Sequence, residues 1–138
     1  MHGEIGGKPV YIRQWSATVA LENLSAALNL FGAALLPYIT GENKFTDNLI
    51  LLRSGSAKEI TDLLKRFVTA VRVDGKELNS ATFDIEYGGD LNRIFETFAF
   101  ACQVNYKDFF EQGADQPQQD PEQDQQAQQE QEAEVLRV

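Results

Sequence analysis

The chain has 138 residues, with 12 Lys and Arg against 21 Asp and Glu, for a formal charge of −9. That length suits one domain, and the acidic balance argues against gripping nucleic acid through phosphates or a membrane surface through a basic patch. One Cys and one His rule out an internal disulfide and a Cys/His zinc site.

In chain order, the start from Met1 to Lys8 lacks the basic and apolar regions of a secretory signal, and His2 is expected in a mobile terminus. No apolar run approaches the roughly 20 residues of a spanning helix. Together these features imply a soluble, cytoplasmic chain with no membrane partner. Residues 1–15 read as an N-terminal arm or short strand, because Val10 to Trp15 is β-branched and aromatic after Gly6, Gly7 and Pro9.

Ser16 then caps a helix predicted from Ala17 to about Tyr38. Leu21, Leu24, Leu28, Phe31 and Leu35 fall on one face, and Pro37 and Gly41 end it. Asp47 is placed to cap a short apolar segment, Leu49 to Leu52, which Gly55 breaks. Ser56 and Glu59 form a capping box for the next helix. Its apolar positions, Ile60, Leu63, Leu64, Phe67, Val68 and Val71, give the strongest helical period in the chain.

Arg72 to Leu78 reads as an Asp-Gly turn with short extended flanks. A brief helix follows from Ser80 to Tyr87, stopped by Gly88 and Gly89. Asp90 caps a helix lined by Leu91, Ile94, Phe95, Phe98 and Cys102, and a last turn spans Asn105 to Gln112. The fold class is thus mainly α: a small helical domain over 16–113 with one short β element. From Ala114 to Val138 there are nine Gln, seven acids and no aromatic residue. This stretch, 114–138, reads as a disordered acidic tail, since it cannot bury enough apolar surface to offset its ordering entropy.

No catalytic signature emerges, and no enzyme activity, metal or cofactor is expected. His2 is too isolated for a triad, and Cys102 lies in an apolar stripe with no His near it in sequence. Asp84, Glu86 and Asp90 gather around Gly88 and Gly89 without the alternating ligands of a calcium loop. The aromatics say more. Phe95, Phe98, Phe100, Tyr106, Phe109 and Phe110 are too crowded for one amphipathic face. Tyr106, Phe109 and Phe110, with the exposed side of the Ala17 to Tyr38 helix and with Trp15 and Tyr11 on the arm, are the candidate partner surface, core packing being the other reading of each aromatic.

Several segments together resemble a known family. An arm ending in Trp15-Ser16 leads into an Ala/Leu-rich helix, and an amphipathic helix runs into Val71-Arg72-Val73-Asp74-Gly75-Lys76-Glu77-Leu78. Then come Phe83-Asp84-Ile85-Glu86-Tyr87-Gly88-Gly89-Asp90-Leu91 and an ending at Val104-Asn105-Tyr106-Lys107-Asp108-Phe109-Phe110. Over roughly residues 10–111 this is similar to the tail assembly chaperones of long-tailed bacteriophages. The resemblance implies a host-cytoplasmic helper, absent from the mature virion. Such a helper coats and solubilises the tape-measure protein, helps recruit tail-tube subunits, and is in some cases also made as a longer frameshifted form. Self-association is open. The competing class is a small acidic phage protein that inhibits a host enzyme. That reading is weakened because residues 1–113 are nearly balanced, with fourteen acids and eleven bases.

Overall fold

The computed structural model describes residues 1–114. Residues 1–107 form one compact unit, and a second unit begins at Asp108. The predicted tail, apart from Ala114, lies outside the described residues.

The arm is a β-hairpin rather than a single strand. Strands β1 (His2–Ile5) and β2 (Lys8–Tyr11) pair antiparallel with His2 opposite Tyr11 and Ile5 opposite Lys8. Gly6 and Gly7 both have positive φ, +59° and +77°, the geometry of the tight turns that match strand twist. Met1 is tied back to Ile12 by two backbone hydrogen bonds, one from its amino group and one to its carbonyl. The start of the chain is therefore pinned, which corrects the expected mobile terminus around His2.

Strand β3 (Arg72–Val73) pairs with Val10 and Tyr11, giving the order β1-β2-β3. The Asp-Gly turn forms as read: Asp74 and Gly75 have φ of +52° and +76°, and Val73 bridges to Lys76. Ile5, Val10, Ile12 and Val73 carry the buried side of this small sheet.

Helix α1 (Ala17–Phe31) starts on Ser16, whose hydroxyl accepts from the Val19 amide. It does not run on to Tyr38. Gly32 takes φ +59°, a 3-10 turn covers Gly32–Leu35, and α2 (Leu36–Thr40) begins with Pro37 in its first turn. Proline has no amide to lose there and starts a helix rather than ending one; Gly41, left-handed, ends it. Leu24, Ala27, Phe31 and Leu35 are buried, whereas Leu21 and Leu28, expected on the same face, are exposed.

The whole stretch Ala17–Thr40 is long and apolar enough to cross a membrane by length and composition. This corrects the sequence reading that found no such run. One side of it nonetheless packs in the core through Phe31 and Tyr38, whose rings meet Phe98 at 6.0 and 5.4 Å.

Helix α3 (Phe45–Leu52) is capped at Lys44 and so begins three residues earlier than a cap at Asp47 would place it. Asp47 sits inside the first turn and its carboxylate accepts from the Lys44 amide at 2.7 Å. Helix α4 (Ala57–Val68) buries its stripe from Ile60 to Val68 and ends before Val71, which is buried beyond the helix, and Ser56 accepts from the Glu59 amide. Helix α5 (Ser80–Tyr87) is capped by Asn79, whose side chain accepts from the amides of Ala81 and Thr82.

Helix α6 (Leu91–Ala114) absorbs the separate last turn predicted from Asn105. Ile94, Phe95, Phe98 and Cys102 are buried as its stripe implies, but Leu91 is exposed. Phe98, fully buried, is the centre of the core, with Phe67 5.0 Å away in addition to Phe31 and Tyr38. Phe100, off the stripe, faces the hairpin: a Cβ on Gly3 would come within 2.9 Å of its ring, so glycine is what allows the close approach.

Candidate functional site

The carboxylates flagged by the sequence do not meet one another. Each faces a cation. Glu86 accepts from Lys8 and from Arg93, both at 2.8 Å, Asp90 accepts from Arg93 at 3.0 Å, and Asp84 lies 3.9 Å from Lys65. The Asp90 carboxylate thus goes to the Arg93 side chain, while the Arg93 amide donates to the Asp90 backbone carbonyl and not to the expected side-chain cap. The hydrogen bond from Lys8, with help from Arg93, holds Glu86 below the usual carboxylate range against the opposing effect of burial. That is opposite to the raised value of a carboxylate poised to donate a proton.

Among the described residues no three His, Cys, Asp or Glu side chains gather to hold a metal. Cys102 is wholly buried and its thiol is pushed well above its ordinary range by that burial, so it is not a poised nucleophile.

The surface is more informative. In α3, Phe45, Leu49, Ile50 and Leu52 are exposed by 62 %, 45 %, 43 % and 49 %, leaving only Leu51 of its five large apolar side chains in the core. The reason is geometric. An eight-residue helix that packs on the 3-10 turn and on α4 has one narrow inward face, which Asn48 and Leu51 fill. Asn48 is held there by the Tyr38 hydroxyl, which donates to its side-chain oxygen. The remaining apolar residues must then point elsewhere. Leu49, Ile50 and Leu52 line a shallow depression of about 410 Å³ between Thr46 and Arg53. Leu21 and Leu28 on α1 and Leu36 on α2 are further exposed apolar residues. Such concentrated apolar exposure marks an interaction surface.

The exposed side of the predicted Ala17 to Tyr38 helix was expected as partner surface; the α3 face was not assigned from the sequence. The available signal was density: five large apolar residues in eight positions exceed what one face of a short helix can bury.

The aromatic candidates separate into three environments. Tyr11 and Trp15 are half-buried and line one groove. Tyr106 is buried instead: it lies 6.1 Å from Trp15, and its hydroxyl donates to the Ala20 carbonyl at 2.7 Å. Phe109 and Phe110, in the second unit, meet edge to face at 5.3 Å, with Phe109 exposed.

An uncovered apolar helix face has the character of a protein-binding surface. The family model described as "Phage tail assembly chaperone protein, TAC" matches residues 6–119. The chain belongs to the phage tail assembly chaperone family. The match takes in all the segments on which the resemblance rested, from the hairpin turn to the Phe109-Phe110 pair. No curated protein and no solved structure matches the chain. In this tail assembly chaperone, the α3 face is the candidate site for a partner in tail assembly.

Proposed function

We propose that this chaperone binds the tape-measure protein of its phage, keeps it soluble, and helps recruit tail-tube subunits around it. It acts in the host cytoplasm and is left out of the finished virion. The observation that carries this reading is the outward apolar face of α3 in a member of this family. A long helical partner with exposed apolar stripes would lay one stripe on Phe45, Leu49 and Leu52, helix face on helix face. Phe109 and Phe110, in the second unit, are a separate aromatic anchor pair for the partner, and aromatic anchors concentrate binding energy. Tyr106, being buried, supports Trp15 from within and makes no outward contact.

The test is co-production with the tape-measure protein, followed by measurement of the soluble fraction of the latter. Leu49→Ser with Ile50→Ser removes exposed apolar area and leaves the core intact, so circular dichroism and melting should change little. The soluble fraction should fall sharply. Phe109→Ser with Phe110→Ser should do the same. Undiminished solubility with both folded double variants would overturn the assignment of these surfaces, and with the unaltered chain an insoluble tape-measure protein would overturn the function.

A further inference from the structure

A groove of about 890 Å³ runs between the N-terminal arm and the turn after β3. It shares no residue with the α3 face. Tyr11, Trp15 and Leu78 give it apolar walls, and Arg13 and Arg72 give it charge. The aromatic wall is held in place from behind. Trp15 meets Phe67 edge-on at 5.0 Å and donates its backbone amide to the Asn105 side chain at 2.9 Å, and Tyr11 packs on His2 with ring centres 4.7 Å apart.

The two arginines differ. Arg72 is engaged by Glu77 at 2.6 Å, whereas Arg13 is exposed and makes no ion pair among the described residues. Glu77 is the groove's one acidic residue. In a chain of charge −9 this is a locally cationic place beside a preformed aromatic wall.

We propose that the groove is a second docking site, for an extended segment of a partner protein that carries an acidic side chain beside a large apolar one. The apolar side chain lies between Tyr11, Trp15 and Leu78, and the carboxylate takes the planar fork of Arg13. A polyphosphate chain fits less well, since it needs a row of cations and the groove has a single unpaired arginine. With one surface on α3 and another here, the chaperone can hold two different partner segments at once. This inference stands on the groove itself and does not depend on which protein occupies the α3 face.

Trp15 is the only tryptophan, so its fluorescence reports on the groove in the full chain. The probes are short capped peptides in which glutamate alternates with phenylalanine, counterparts with lysine for glutamate, and a single-stranded RNA oligomer. The expected result is a saturable shift of Trp15 emission with the glutamate peptide alone. Arg13→Glu should weaken that binding by about tenfold or more, the usual effect of setting a like charge against a carboxylate. Arg13→Lys should restore part of it. Leu49→Ser with Ile50→Ser should leave the titration unchanged, which separates this site from the α3 face. Equal response to both peptides, no saturable response, unchanged binding with Arg13→Glu at unchanged melting temperature, or a response to the RNA in place of the peptide would each overturn the proposal.

Discussion

Arg93 is buried directly against Glu86, donating both to its carboxylate at 2.8 Å and to its backbone carbonyl. The same carboxylate receives Lys8, from the start of β2, at 2.8 Å. The Arg93 guanidinium also lies over the Tyr87 ring, 4.5 Å from its centre. One carboxylate therefore ties the N-terminal hairpin to the corner between α5 and α6. Burial alone would favour loss of the charge on Arg93, but its hydrogen bonds to the carboxylates of Glu86 and Asp90 more than offset it and raise its pKa.

Glu86→Gln should cost about 2 kcal/mol at neutral pH, the scale of hydrogen bonds to charged groups. The sign of its pH dependence follows from the lowered pKa of Glu86. The contribution is fully present above the unfolded value of about 4.5 and is lost as pH falls through the lower folded value. Urea unfolding across pH should show a constant gap between the two proteins from neutrality to about 5. The gap should close below that. A gap that persists unchanged to the acid limit would show that Glu86 acts through packing, not charge.

Gly6 faces the same arginine. Its φ is +59°, and an added Cβ would come 2.8 Å from Cδ of Arg93, an atom fixed by the ion pairs beyond it. Gly6→Ala should therefore destabilise by about 1–2 kcal/mol from the backbone conformation, with the clash adding to it. Gly7 has φ +77° but open space where its side chain would go. Gly7→Asn should be close to neutral, because asparagine tolerates this conformation. Thermal melting of the two variants sets the combined cost of strain and crowding at Gly6 against a turn substitution that has neither.

Cys102 should behave as a core atom. Its thiol is fully buried and protonated, so a thiol-reactive dye at mildly alkaline pH should label it only after the chain is opened by denaturant. Labelling of the native protein at the rate of a free thiol would mean that α6 opens locally far more often than its packing implies.

Much of the helical frame follows from periodicity. The stripe from Ile60 to Val71 is buried residue for residue, and the Asp74-Gly75 turn and the Ser16 and Ser56 caps form where local chemistry places them. These features are legible because each is settled within one or two helical turns of chain. The break at Gly32 was not: glycine is compatible with continuing a helix or leaving it, and the choice depends on how Phe31, Leu35 and Tyr38 meet Phe98.

The partner surface divides in the same way. Sequence alone determined that the chain is a mainly helical member of its family with more apolar and aromatic residues than one core face requires. Which of them stay outside was decided only by tertiary packing. Tyr106 goes inward because its ring reaches Trp15 and its hydroxyl finds the Ala20 carbonyl. Leu49, Ile50 and Leu52 stay outside because α3 is too short to have more than one inward face, and Asn48 and Leu51 already occupy it. Burial is a competition among all the apolar residues for a limited interior. Its outcome belongs to the assembled fold, not to any one segment.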